Sequence, residues 1–351
     1  MKAASFGYVR PGSVADVVAE LAAGADGSGG GSGGGSGGGS GDEVTVLAGG
    51  QSLMPVLAMR LGRPDTLVDI NAVPELGQIV SEPARSAPTS APAPGPGPAP
   101  APGSLESGYI RIGATARQRQ ALEDPATAAV PLLRMALPWV GHREIRGRGT
   151  VCGSLAHADP AAELPAVACC LSATMTLVSA RGRREVTAGD FFVSALTTVR
   201  APDELLESVA FPAAVPGEGF GFAEVARRHG DFALAGVAVR VTGAATGHPE
   251  AVAACFGVAD RPVVTDVSGW TNEVLSSAAA LAESALRERF AEGAGDFSAS
   301  VVATGDAQGS RGYRRHLIRE LIGSELARAT VRSLESGRCL EAGHSMEGGP
   351  A

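Results

Sequence analysis

Val44-Thr45-Val46-Leu47-Ala48-Gly49-Gly50-Gln51-Ser52-Leu53-Met54-Pro55 is the stretch on which the reading of this chain turns. Val44 to Leu47 is β-branched and aliphatic, which suits a short strand. Gly49 and Gly50 end it, because they allow positive φ and close backbone approach. A helix follows, with Pro55 tolerated in its first turn. A strand that passes through a Gly-Gly turn into a helix aims backbone N–H groups at one point. Such a nest holds an anionic phosphate without any lysine. Ser52 can cap the helix or hydrogen-bond a phosphate oxygen. The stretch is neither a G-x-G-x-x-G dinucleotide fingerprint nor a G-x-x-x-x-G-K-[ST] loop, and the missing lysine argues against an NTPase. Read alone, a turn of this kind is structural more often than it binds a ligand.

Working outward, Ser13 reads as an N-cap, with Val14, Val17, Val18 and Leu21 at helical spacing behind it. Thr66 to Ile70 is a further strand, so the N-terminal part reads helix–strand–helix–strand. Gln78 to Val80 and Tyr109 to Ile112 can pair as a hairpin, and Thr115 caps a helix running to about Glu123. Two low-complexity stretches interrupt this rhythm. Gly24 to Gly41 is nearly all Gly and Ser, and Ser81 to Gly103 is rich in Pro, Ala and Gly. Neither can bury a core, and both read as spacers.

The middle of the chain reads as a helix near Leu132 to Val140 and a Gly/Arg-rich loop from Gly141 to Gly149. An Asp159-Pro160 turn and a helix near Glu163 to Leu171 follow. Thr174 to Ser179 and Arg184 to Thr187 form a hairpin about Arg181-Gly182, and Leu205 to Phe211 is a strand ended by Pro212. A new module starts near Gly217. Phe220 to Arg227, Ala235 to Thr242 and Val252 to Val258 read as antiparallel strands, and helices follow near Glu273 to Glu292 and Tyr313 to Leu334. Gly337 to Ala351 reads as a frayed tail.

Bulk composition narrows the function classes. The 351 residues carry a net charge of -8 and no long basic block, so nucleic acid is not expected as a partner. No window offers the roughly 20 unbroken apolar residues of a membrane span, and the opening residues lack an apolar signal core, which gives a cytoplasmic default. The five cysteines include no C-x-x-C pair. They read as reduced thiols, too few and too scattered for an iron–sulfur cluster, which needs about four Cys ligands. The six histidines form no H-x-x-H or H-E-x-x-H array, so no metal site is expected.

A second segment makes the first one specific: Arg148-Gly-Thr-Val-Cys-Gly-Ser-Leu-Ala-His-Ala-Asp-Pro-Ala-Ala-Glu-Leu-Pro165. It offers small residues, two hydroxyls and a glycine, then an acidic helix entry. Locally, Asp159 reads as an N-cap before Pro160, and Glu163 as a first-turn acid favoured by the helix dipole. A third segment is Ala226-Arg-Arg-His-Gly-Asp-Phe-Ala233. With Phe6-Gly-Tyr-Val-Arg-Pro and Val68-Asp-Ile-Asn71, these three motifs strongly resemble the FAD-binding medium subunit of molybdenum hydroxylases. That is the family of aerobic carbon-monoxide dehydrogenase and bacterial xanthine dehydrogenase. The resemblance covers nearly the whole chain apart from the two spacers and the tail.

The resemblance implies an α+β fold: a two-lobed PCMH-type FAD-binding domain, then a small C-terminal domain with an antiparallel sheet and helices. The boundaries expected are 1–214 for the FAD domain, with lobes of about 1–62 and 63–214, then 215–335 for the C-terminal domain and 336–351 for a flexible tail. It implies noncovalent FAD. Ala48, Gly49, Gly50, Gln51 and Ser52, flanked by Leu47 and Leu53, would wrap one side of the pyrophosphate. Thr150, Val151, Cys152, Gly153 and Ser154 would supply the other, with the Thr150 and Ser154 hydroxyls as donors. Glu163 would hydrogen-bond the flavin end, with Asp159 a weaker candidate for a similar role. Phe232 stands where many relatives carry Tyr beside the isoalloxazine, and keeps the stacking surface without the hydroxyl. Cys152 stands where glycine is commoner, and reads as packing.

In such a family the chain does not meet the organic substrate. A large molybdopterin subunit would oxidise it, and a small subunit with two [2Fe–2S] clusters would relay electrons singly. The flavin would collect them for an external acceptor, in a dimer of heterotrimers. Two other readings stay open at this level: a stand-alone PCMH-type oxidoreductase, which needs a substrate pocket with a base above the flavin, and an orphan flavin-binding protein without partners.

Overall fold

The computed structural model describes residues 3–25, 43–84, 108–277 and 282–346, with side chains up to 338. The Gly/Ser and Pro-rich spacers lie almost wholly outside these residues. The N-terminal part contains β1 (Gly7–Val9), α1 (Val14–Ala25), β2 (Val44–Leu47), α2 (Leu53–Ala58) and β3 (Thr66–Asp69). The strands form a parallel sheet in the order β1-β3-β2. Parallel neighbours need a crossover, and α1 supplies one by laying Val17, Val18 and Leu21 into the core. Ser13 caps it, accepting the Asp16 N–H at 3.2 Å.

The second part contains β4 (Ile79–Glu82), β5 (Tyr109–Gly113), α3 (Gln118–Glu123), α4 (Pro131–Ala136), α5 (Arg143–Arg148), α6 (Val151–His157) and α7 (Glu163–Cys170). It continues through β6 (Thr174–Ser179), β7 (Gly182–Thr187), α8 (Ala188–Phe191), β8 (Phe192–Ser194), β9 (Thr197–Thr198) and β10 (Leu205–Pro212). An antiparallel sheet runs β4-β5-β10-β6-β7, with Ile79 opposite Ile112 as the hairpin reading expects. The third part is the meander β11 (Glu218–Ala226), β12 (Ala233–Thr242), β13 (Glu250–Phe256) and β14 (Val263–Asp266), followed by α9 (Ser268–Ser277), α10 (Glu283–Ser300) and α11 (Arg311–Met346).

Several sequence expectations are corrected. The Gly/Arg-rich stretch after Gly141 is not a loop: Arg143–Arg148 forms α5, because Arg and Glu favour helix enough to carry the single Gly147. Thr115 does not cap α3, whose N-cap position falls at Arg117. The last helix does not stop near Leu334; its backbone continues through Met346, well into the segment read as a tail.

The meander is buried on both faces. One face packs on α9, α10 and α11. The other, through Phe220, Phe222, Ala238, Ala254 and Phe256, joins the core that also holds α1, α4, α6 and α7. That core is continuous across residues 214–215. No helix among the described residues is long and apolar enough to cross a membrane.

Candidate functional site

The Gly-Gly turn leaves the C-terminal end of β2, beside Asp69 of β3. Gly50 sits at φ +73, the left-handed region that favours glycine. Gly49 is required for a different reason. A Cβ there would lie 2.5 Å from the Arg148 carbonyl oxygen and 2.7 Å from Gly149 Cα. The first turn therefore rests backbone-on-backbone against the start of the second. Ser52 does not cap α2: it has helical angles (φ -87, ψ -40) and no side-chain cap bond. Its side chain is exposed, while Leu47, Gln51 and Leu53 are half-buried and the Gln51 amide donates to the Gly49 carbonyl at 3.2 Å.

The second turn forms the N-terminus of α6. Thr150 is the N-cap, and its hydroxyl oxygen accepts the Gly153 N–H at 2.9 Å. Thr150 is itself buried, so its hydroxyl serves the turn rather than standing open as a donor. Val151 and Cys152 point into the core, and the Cys152 thiol donates to the Ile112 carbonyl at 3.4 Å. These three residues can offer a ligand backbone only, a correction to the expectation that the whole run lines the site. Gly153 and Ser154 stay half-exposed, and a Cβ on Gly153 would come within 3.9 Å of Ala48 Cβ. Burial pushes the Cys152, Cys169, Cys170 and Cys255 thiols up to about 12, as expected of packing residues.

Two residues without an assigned role in the sequence reading hold the turns together. The Asn71 amide donates to the Ala48 carbonyl at 2.8 Å and to Asp69 at 2.5 Å. Arg117 donates to the Asn71 side-chain oxygen at 2.6 Å and to the Arg148 carbonyl at 2.5 Å. The chain Ala48–Asn71–Arg117–Arg148 thus spans both turns. Burial works against the Asp69 charge, but hydrogen bonds from Tyr8 and Asn71, with Arg10 nearby, outweigh it and hold the carboxyl below its ordinary range. Beneath the bridge, Arg117 pairs with Thr150, and Gln118 N–H donates to the Gly149 carbonyl at 2.9 Å. Asn71 was visible in its motif. Arg117 gave no signal, because an arginine at the start of a helix resembles any surface cation.

At the far end of α6, Ala158 takes a left-handed conformation (φ 50) and the Asp159-Pro160 turn begins. Asp159 accepts the Ala161 N–H at 2.8 Å, a turn-forming role. Glu163 opens α7 and is buried; burial, with Asp159 nearby, pushes its carboxyl up to about 7 against the pull of its own backbone N–H and Arg146. Phe232, in the β11–β12 connection, is 65% exposed and is therefore not a core aromatic. Its connection packs on the segment leading into α5: His229 lies over Trp139 with ring centroids 5.7 Å apart, and a Cβ on Gly230 would meet the His142 ring at 2.5 Å. Among the described residues no group of three or more His, Cys, Asp or Glu is arranged to hold a metal ion.

In the second turn the Val151, Gly153 and Ser154 N–H groups are already donated, to the Ala116 carbonyl, the Thr150 hydroxyl and the Thr150 carbonyl. Two abutting turns with little room for side chains, and with the Ser52 and Ser154 hydroxyls unpaired among the described residues, suit an extended diphosphate. The chain's relatives are consistent with that chemistry. Residues 104–214 match the family described as the FAD binding domain in molybdopterin dehydrogenase. The chain is 32% identical to the nicotine 6-hydroxylase medium subunit of Paenarthrobacter nicotinovorans over 83% of its own length and 92% of that protein's. It superposes on quinoline 2-oxidoreductase from Pseudomonas putida 86 with a TM-score of 0.75 and 30% identity, covering 95% of this chain and all of that one. CO dehydrogenase from Oligotropha carboxidovorans gives a TM-score of 0.73 at 28% identity, with the same coverage.

Proposed function

We propose that this chain, which belongs to the FAD-binding medium subunits of molybdenum hydroxylases, is the electron outlet of such a complex. It is an oxidoreductase subunit and its cofactor is FAD. Bound FAD would supply the redox chemistry, a two-electron store between the [2Fe–2S] clusters and an external acceptor. The clusters would sit in a small partner subunit and the molybdopterin in a large one, in a cytoplasmic dimer of heterotrimers.

The observation that carries the reading is the backbone seat of Gly49 on Arg148-Gly149 under the Asn71–Arg117 bridge. It joins the turn after β2 to the turn before α6 as one cradle between residues 1–62 and 63–214, the two lobes of the proposed FAD domain. Leu47 to Leu53 grip one side of the pyrophosphate. Ser154 faces the other with its hydroxyl and Gly153 leaves room for it, with Thr150 acting through its cap and Val151 and Cys152 packing the turn from beneath. Glu163 accepts a hydrogen bond from the flavin, and Phe232 offers its exposed ring to it. The module at 215–335 helps to cover the flavin and to dock the partners.

The test is direct. The purified chain should be yellow and release FAD on denaturation, and Gly50→Asp should lose FAD while keeping its far-UV circular dichroism. In the assembled complex the flavin should bleach when substrate is added, and should stay oxidised when the cluster-bearing subunit is left out. A colourless chain that takes up no FAD would refute cofactor binding. Flavin that ignores substrate in the intact complex would refute the electron-outlet role alone.

A further inference from the structure

β11 sets Phe220, Phe222 and Glu224 on one face of the meander, the face that meets α4 and α7. Glu224 is only 7% exposed, and neither of its carboxyl oxygens has a hydrogen-bond partner. Its surroundings are apolar. Across the sheet it pairs with Gly236, which is covered by the Phe256 ring, and Phe256 stacks on Phe222 at 5.7 Å. α7 crosses the same face. Its Cys170 end donates to the Ala238 carbonyl, and the turn before its other end accepts the Gly257 N–H at the Pro160 carbonyl, 2.8 Å away. Gly236 and Phe256 share the row of the sheet that holds Glu224, and Gly257 follows Phe256 directly. Glu163, the first residue of α7, is therefore brought to Glu224, and its charge bears on it.

We infer that Glu163 and Glu224 form a buried carboxyl pair that holds one exchangeable proton, with Glu224 the neutral member and Glu163 the carboxylate presented to the flavin. The inference rests on the proposed placement of Glu163 at the flavin end. An acid buried without a partner keeps its proton, because burial disfavours the charged form. Two carboxylates in one site cannot both ionise cheaply. Burial, with repulsion from Glu163, pushes Glu224 up to about 8. Other charges nearby are committed elsewhere. Arg146 and Asp159 bear on Glu163 with opposite signs. Arg134 donates to the Leu122 carbonyl from α4, and Arg227 to that of Gln308. Arg240 on β12 bears on Glu218 and Cys170. On α11, Arg314 holds the Leu234 carbonyl and Asp306, Arg328 pairs with Glu325, and Arg332 holds the Phe220 carbonyl. None of these forms an ion pair with Glu224 among the described residues.

Glu224 is then a positioning residue that acts through Glu163. Below neutrality both acids are protonated, and Glu163 must lose its proton to accept from the flavin. Above the Glu224 transition a second buried charge appears and the site loosens. FAD affinity should therefore pass through a maximum with pH, and the two limbs belong to the pair.

The experiment titrates the full-length apo chain with FAD by flavin fluorescence from about pH 5.5 to about pH 9.5. The wild type should weaken on both sides, with the alkaline limb approaching about tenfold per pH unit. Glu224→Gln mimics the neutral acid and should bind FAD but lose the alkaline limb. Glu163→Gln should lose the acid limb. Apo thermal melts supply a readout independent of flavin. An acid with a raised folded-state pKa contributes stability that is present at low pH and lost as pH rises toward that value, so the wild type should weaken up to about pH 8, and Glu224→Gln should weaken less, keeping only the loss that Glu163 contributes up to about pH 7. An alkaline limb that survives in Glu224→Gln, or melts that run parallel in the two proteins, would overturn the pairing. A wild type that binds no FAD at any pH would instead overturn the cofactor reading, and leave the melts to judge the pair.

Discussion

Gly49→Ala is the most direct test of the cradle. The added methyl group would sit 2.5 Å from the Arg148 carbonyl oxygen and 2.7 Å from Gly149 Cα, where ordinary contact begins at 3.4 Å. Both obstacles are backbone, so no side chain can swing aside. The turns must part by about 0.9 Å, an overpacking that costs about 1–3 kcal/mol. The same movement stretches the Asn71 and Arg117 bonds that bridge the turns. A charge-assisted hydrogen bond from backbone to phosphate is worth about 1.5–3 kcal/mol. Loss of one such bond weakens FAD binding by about tenfold to a hundredfold. The assay pairs fluorescence titration with FAD and thermal melts with and without it. Gly147→Ala is the control: it lies on α5, a Cβ there meets nothing within 4 Å, and alanine should raise helix stability by about 0.5–1 kcal/mol. Gly49→Ala with wild-type melting and wild-type affinity would refute the claim that the turns abut as a single site.

Two further outcomes follow from the same geometry. Arg117→Met should leave the Asn71 side-chain oxygen and the Arg148 carbonyl unpaired and cost about 1–3 kcal/mol in urea melts. Arg117→Lys should recover little, because an ammonium does not span two acceptors as a guanidinium does; full recovery by Lys would show that charge alone matters. In a Cys339→Ser background the remaining four thiols, all buried and pushed up to about 12, should react with a thiol reagent only on unfolding. Rapid modification of any of them in the native chain would contradict the packing role of Cys152 and its fellows.

Local patterns carried much of the architecture. The Val44–Leu47 strand, the hairpin about Arg181-Gly182 and the three long strands after Gly217 are regular runs whose periodicity survives in the fold. The strands β1, β8 and β9 are three residues or fewer, too short to show an alternation against noise. The Gly/Arg-rich stretch misled because Gly141 and Gly149 flank a six-residue helix, and the Gly147 inside does not dissolve it. Thr150 misled in the opposite way: a hydroxyl in a binding motif looks like a ligand donor, yet here it is consumed by its own turn.

The sequence by itself determined the two glycine turns, the acid at Glu163 and the family to which they belong. These are covalent neighbours, and short-range backbone preference is enough to specify them. Only the tertiary structure decided that Gly49 must be glycine because of a backbone 99 residues away, that Asn71 and Arg117 bridge the turns, and that Glu224 lies buried with no hydrogen-bond partner for its carboxyl. Each is a meeting of groups far apart along the chain. The reason is physical: burial and contact belong to packing, and one-dimensional spacing does not encode which surfaces the closed core brings together.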